Sequence, residues 1–280
     1  MYCREPMMVL RDDDLTAYLD RIGYAGPREP TLAALREIVA AHATAIPFEN
    51  IDPLLGRGVR LDDAALTAKL VRGGRGGYCF EHNTLLLRAL AALEFRIEGL
   101  AARVLWGRPE GDPTARSHML LRVALPEGEF LADVGFGGLT LTAPLRFEIG
   151  PEQPTPHEPH RLVAIDGETE LQALLDGGWT RLYHFLPQKQ LPIDYEQANW
   201  FTATHPESLF TNHLLMARPD TDRRYALFDR EFTVRRRDGR VEKRRLTDAA
   251  DLADVLTGYF RIAPSEAERD AEAVWKRLPG

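Results

Sequence analysis

Cysteine is scarce in this 280-residue chain, which holds only Cys3 and Cys79. Two cysteines cannot form a disulfide framework, nor by themselves a four-ligand zinc site. Long apolar runs are also missing. No stretch reaches the ~18 residues a bilayer crossing requires, and the uncharged segment from Val134 to Leu145 is too short and too rich in glycine. The opening MYCREPMMVLRDDD has no apolar core followed by a cleavage site, which argues against secretion. There is no basic surplus either. With 35 Lys+Arg against 42 Asp+Glu and a formal charge of −7, nucleic acid is not an expected partner. A content of 44% hydrophobic and 28% charged residues excludes disordered and fibrous classes. These absences leave a cytoplasmic globular protein with no membrane segment, long enough for one large domain or a few small ones.

The first third of the chain reads as helical. After Pro30, TLAALREIVAAHA places Leu32, Leu35, Val39 and His42 on one face, with Thr31 as N-cap and Pro47 beyond its end. Asp62 or Asp63 caps a second helix bearing Leu66 and Leu70, which the glycines from Gly73 onward stop. The clearest helix is CFEHNTLLLRALAALE, with a stripe of Leu86, Leu90 and Leu93. The loop RGGRGGY before it cannot be helical cheaply, since each interior glycine costs about 1 kcal/mol relative to alanine. From about residue 95 the period shortens. GLAARVLW, HMLLRVAL, EFLADVGF, RLVAI, ELQALL and TRLYHF read as strands, and the Asp166-Gly167 and Asp176-Gly177 pairs are hairpin turns. The proline-rich stretch 150–160 is a surface loop. A helix around Asp194 to Trp200, a hairpin turning at Asp238-Gly239 and a helix from Asp248 complete an α+β order.

Cys79 follows Gly76-Gly77-Tyr78 and opens the clearest helix. Unpaired N–H groups at a helix start favour a thiolate, and the glycines let a reacting carbonyl approach the backbone. Cysteine is also a common core filler, and the local sequence alone leaves both readings open. His118, in RSHMLLRV, faces the opposite side of its strand from Ser117, Met119, Leu121 and Val123. Asp133 is a lone carboxylate in the apolar run FLADVGFGG, where burial requires a charged or donating partner. A thiol, an imidazole and a carboxylate in this order make a nucleophile, a base and an orienting group.

RGGRGGYCFEHN, RSHMLLRV and FLADVGFGG together resemble the three active-site motifs of the arylamine N-acetyltransferases. YLDRIGYAGP and HATAIPFENID are similar to that family's N-terminal signature, and the spacing from Asn199 to Phe260 to its C-terminal part. The resemblance implies a helical bundle over 1–95 carrying the nucleophile, an antiparallel β-barrel over 96–200 carrying His and Asp, and an α/β lid over 201–280. The first two are related to papain-like thiol enzymes. It further implies acetyl transfer from acetyl-coenzyme A, as a co-substrate with no tightly bound cofactor, to small aromatic amines or hydrazines. Carried over by motif, Cys79 is the nucleophile, His118 its base and Asp133 the orienting group. Phe48, Phe136 and Phe210 line the acyl and arene pocket. Gly135, Gly137 and Gly138 resemble a loop that approaches the coenzyme phosphates with free N–H groups.

His82, three residues after Cys79, is a second imidazole and a rival base. Arg75 and Glu81 read as a structural pair, and His42 as a core or interhelical histidine. His157 and His160 have no ligand pattern around them, so no metal is expected. The basic run Arg235, Arg236, Arg237, Arg240, Lys243, Arg244 and Arg245 reads as a solvated hairpin with charges along its edge, or alternatively as a coenzyme contact. Rival functions are an amide synthase that uses the same three residues without coenzyme A, a transglutaminase-like or papain-like hydrolase, and a non-enzymatic scaffold. The PFEN and VGFGG segments count against the hydrolases.

Overall fold

The computed structural model describes residues 9–109 and 111–279; Cys3, read as inert, lies outside them. The described residues open with two amphipathic helices, α1 (Asp12–Ile22) and α2 (Leu32–Ala45). Thr31 caps α2 as expected, its hydroxyl accepting the Ala34 N–H. A two-residue strand β1 (Phe48–Glu49) and the short helices α3 (Ile51–Leu54) and α4 (Asp63–Leu66) follow. Asp62, not Asp63, is the α4 cap, accepting the Ala65 N–H at 3.1 Å.

The helix expected to run from there to Gly73 is regular only to Leu66. Residues Thr67–Arg72 wind as a wider π-helical turn. The wider turn coincides with Lys69 reaching Asp52 and Glu81, at 2.7 and 2.8 Å, and Arg72 reaching Asp14. Next comes α5 (Cys79–Ala92), starting at the thiol as the sequence predicts. Its apolar face meets α1, α2 and one side of the next sheet in a shared core that includes Leu35, Ile38, Leu86, Leu90, Met119 and Leu121.

Seven antiparallel strands follow. They are β2 (Arg96–Val104), β3 (His118–Leu125), β4 (Gly128–Ala132), β5 (Leu145–Arg146), β6 (His160–Ile165), β7 (Glu168–Leu175) and β8 (Gly178–Phe185). Their order is β5-β4-β3-β2-β8-β7-β6. The segment after β5 pairs with β6 through Ile149 and Gln153, so the sheet nearly closes into a barrel. Leu100, Leu120, Leu131, Leu162, Leu171 and Tyr183 fill its interior. On β3 the period-2 alternation sends Met119, Leu121 and Val123 to the helices and Leu120 into the barrel. Both expected Asp-Gly hairpin turns form, with Asp166 and Asp176 in the left-handed region that their glycines share.

The chain then forms α6 (Pro192–Thr204), α7 (Leu209–Asn212), β9 (Leu215–Pro219), β10 (Arg223–Phe228), β11 (Glu231–Arg236), β12 (Val241–Arg245), α8 (Ala249–Gly258) and α9 (Pro264–Arg277). The expected single hairpin is a three-stranded meander. ALFDREFTV breaks at Asp229, whose φ of 50° turns the chain between β10 and β11. This sheet runs β1-β9-β10-β11-β12, so Phe48 and Glu49 pair with Ala217 and Met216 far along the chain. Its apolar face is covered by α8 and α9. No helix among the described residues is long and apolar enough to cross a membrane.

Candidate active site

Three elements converge on Cys79. The thiol is the first residue of α5 and is 5% exposed. The helix start is fixed by the Tyr78 N–H, which donates to Glu81 Oε2 at 3.0 Å. Upstream, Gly76 presses so close to strand β1 that a Cβ there would stand 1.9 Å from the Pro47 carbonyl oxygen. Only glycine fits.

His118 begins β3 and is buried, with Nε2 2.7 Å from Asp133 Oδ2. Asp133 is fully buried and lies just past β4 rather than within a strand. The expected strand EFLADVGF stops at Ala132 because side chains take over the next backbone donors: the Val134 N–H goes to Asn83 Oδ1 and the Gly135 N–H to Asp133 Oδ1. Asn83 Nδ2 donates to Asp133 Oδ1 and to the Met119 carbonyl. The carboxylate therefore has its partners arranged on both oxygens, as a buried charge requires.

The electrostatics follow from these contacts. Burial works against charge on both groups. At His118 it is outweighed by the Asp133 charge and hydrogen bond, to which Cys79 adds a further hydrogen bond and charge, and the imidazole is held up to about 10. At Asp133, burial is outweighed by His118 and then by the bonds from Asn83 and Gly135, so the carboxyl stays below its ordinary range. Together these groups favour an imidazolium–carboxylate pair beside the thiol.

Phe48, Phe136 and Phe210 fall around this centre. The Phe136 ring meets His118 edge-on at 5.3 Å and also packs on Tyr183 and Trp106. Phe48 faces Phe210 at 6.2 Å, and Phe210 in turn packs on Tyr78. The glycines of the next loop serve the packing. A Cβ on Gly135 would lie 2.7 Å from Cys79 Cα, and one on Gly138 would lie 2.8 Å from the Trp106 ring. The expectation of free N–H groups for a phosphate fails at two of the three. Gly135 N–H is bonded to Asp133, and Gly137 N–H donates to Thr140 Oγ1 at 3.0 Å.

The rival base is otherwise engaged. His82 is fully buried and its ring nitrogens meet His42 and the Pro47 carbonyl. Arg75 and Glu81 do not pair with each other as expected. Arg75 binds Glu49 and Asp270, and Glu81 binds Lys69, all within one buried ionic cluster. Most of the basic run is neutralised in place. Arg235 pairs with Asp176, Arg236 with Glu242, Arg240 with Asp238, Lys243 with Glu231 and Arg244 with Asp251. Among the described residues no group of His, Cys, Asp and Glu is placed to hold a metal. Sequence reasoning missed Asn83, Tyr183 and Trp106. The signal for Asn83 was its i+4 spacing from Cys79, which stacks the two on one helix face.

Known proteins match this chain in sequence and fold. A family model described as N-acetyltransferase covers residues 31–268. An arylamine N-acetyltransferase of Mycobacterium tuberculosis is 47% identical over 256 residues, covering 89% of each chain. One from Escherichia coli is 38% identical, covering 91% of this chain and 90% of its own. The structure of Mycobacterium marinum arylamine N-acetyltransferase in complex with CoA superposes with a TM-score of 0.90 at 43% identity, over 95% of this chain and all of the other. The fold, the order of the three motifs and these relatives agree: the chain belongs to the arylamine N-acetyltransferase family.

Proposed function

We propose that the protein transfers an acetyl group from acetyl-coenzyme A to the nitrogen of arylamines or arylhydrazines, through a thioester on Cys79. The observation that carries the reading is the buried Asp133–His118 pair set against a thiol at a helix start. His118 holds the thiol proton as an imidazolium, and the Cys79 thiolate attacks the acetyl carbonyl. The C–S bond to coenzyme A breaks as the imidazolium protonates the departing thiolate. The amine nitrogen then attacks the acetyl-enzyme, His118 accepts its proton, and the Cys79 thiolate leaves. Asp133 fixes the ring tautomer and stabilises the imidazolium. First-turn N–H groups of α5, which lack intrahelical acceptors, favour the oxyanion formed beside the sulfur.

Phe48, Phe136 and Phe210 supply aromatic walls for the acyl group and arene. Gly135, Gly137 and Gly138 serve by keeping their loop close to Cys79, Phe48 and Trp106. The relatives named as arylamine N-acetyltransferases, and the CoA complex among them, support the donor and acceptor classes. The deciding experiment is intact-mass analysis after incubation with acetyl-coenzyme A alone. One acetyl group on the native chain and none on Cys79→Ala is expected. An unmodified native chain would favour an amide synthase that does not use coenzyme A.

A further inference from the structure

A second set of titratable groups lies behind Cys79. Tyr18, His42 and His82 are each fully buried and joined end to end. Tyr18 Oη is 2.8 Å from His42 Nδ1, His42 Nε2 is 2.9 Å from His82 Nδ1, and His82 Nε2 is 3.1 Å from the Pro47 carbonyl oxygen. Proton counting fixes the direction of this chain. A carbonyl can only accept, so His82 Nε2 carries a hydrogen and donates it. Burial holds His82 down to about 4 and His42 well below 6.5, so near pH 7 each ring is neutral with a single N–H. His82 Nδ1 is then a lone pair that accepts from His42 Nε2–H. His42 Nδ1 accepts from the Tyr18 hydroxyl. Three donors meet three acceptors, and no ring nitrogen of His82 is left for Cys79.

The relay ends on a junction. The Pro47 carbonyl also accepts the Gly77 N–H at 3.3 Å, and the Glu49 N–H returns to the Gly77 carbonyl at 2.7 Å. These bonds tie the strand bearing Phe48 to the loop two residues ahead of Cys79. His82 itself sits three residues after Cys79 on α5. Strand, loop and helix therefore meet at one oxygen atom.

We propose that His82 is a positioning residue for acetyl transfer: held by Tyr18 and His42, it fixes the Pro47 carbonyl and with it the spacing between the Phe48 ring and Cys79. The inference rests on the acetyl-transfer reading above. His82→Leu removes the donor to Pro47 and orphans His42 Nε2–H. In His82→Gln, an amide N–H can still reach Pro47 while its oxygen accepts from His42.

The test measures single-turnover acetylation of Cys79 by p-nitrophenyl acetate, and KM for aniline as acceptor, on full-length chains shown to be folded by thermal melt. His82→Leu is expected to acetylate about 10²-fold more slowly, the cost of a displacement of about 1 Å at a reacting centre, with a raised aniline KM. His82→Gln is expected to recover most of the rate. Native rate and KM in His82→Leu, or equal losses in both variants, overturn the proposal. No acetylation of the native chain would remove the acetyl-transfer reading and this inference with it. Nitrogen-15 spectra of the native histidines test the relay without any variant. Both rings should be Nε2-protonated and neutral between pH 6 and 8, and an Nδ1-protonated ring at either position overturns it.

Discussion

Asn83 donates a hydrogen bond of 2.9 Å to Asp133, so the helix that begins with Cys79 also holds the carboxylate that holds His118. The same amide reaches the Met119 carbonyl at 2.7 Å and accepts the Val134 N–H at 3.1 Å. One side chain thus knits α5 to β3 and to the loop after β4. The thiol and the pair beside it come from segments about 40 and 54 residues apart, and Asn83 sets their spacing.

Asn83→Ala should therefore destabilise the protein as well as slow it. It leaves a buried carbonyl and a buried N–H without partners, at about 1–3 kcal/mol each. At roughly 2–4 °C per kcal/mol for a chain of this size, a melting point lower by several degrees is expected by calorimetry. An unchanged melting point would show that the clamp is dispensable.

Asp133→Asn is expected to lower the rate of Cys79 acetylation by roughly 10²–10⁴-fold. An amide can present its NH₂ to His118 and select the wrong tautomer, a change that costs about 10⁴-fold in a serine triad; a thiol depends less on its base. The measurement is single-turnover acetylation on folded protein. A native rate would take Asp133 out of the mechanism.

Stability should respond to pH through two histidine sets of opposite sign. His118 is raised from 6.5 to about 10 by Asp133 against burial, so its contribution is complete below about pH 6.5 and is lost as pH rises toward 10. His82 is lowered by burial to about 4, so stability is lost as pH falls from about 6.5 toward 4. Urea unfolding of the native chain should give a maximum between these limbs, and Asp133→Asn should flatten the alkaline one. An alkaline limb equally steep in that variant would mean that His118 is not held up by Asp133.

Asp270→Ala strips a buried partner from Arg75 and from Arg57, which lie 3.3 and 2.7 Å from its carboxylate oxygens. Breaking a buried ion pair from one side costs about 3–5 kcal/mol. Denaturant titration should show a midpoint shift of that size with little change in slope. A shift below about 1 kcal/mol, the usual worth of a surface pair, would contradict the burial of the cluster.

Local pattern made much of this molecule legible. The α5 start at Cys79 was visible because glycines cannot enter a helix cheaply and the leucine stripe cannot begin before them. The bounds of β3 followed from its alternation. Asp133 stood out as a single charge in an apolar run. The partners across the fold were not legible. Nothing near Glu49 announces a pairing with Met216, since a two-residue strand has no periodicity of its own. The π-helical turn was hidden because Leu66 and Leu70 suit an ordinary helix. An asparagine inside a helix reads as a neutral surface residue until the acceptors from Met119 and Asp133 are seen facing it. Arg75 and Glu81, close in sequence, invited pairing with each other, yet each found better geometry with a distant carboxylate or amine.

The contact of Asp270 with Arg75 spans 195 residues, and this has a consequence for synthesis. At about 5–20 residues per second, roughly 10–40 s separate the appearance of the two side chains at the ribosome. During that interval Arg75 has Glu49 and Asp52 for company but not α9. The glycine segment ahead of Cys79 is therefore fastened from its far side only after Asp270 has been made, and a nascent chain that stalls before that residue carries its thiol on an unfinished support.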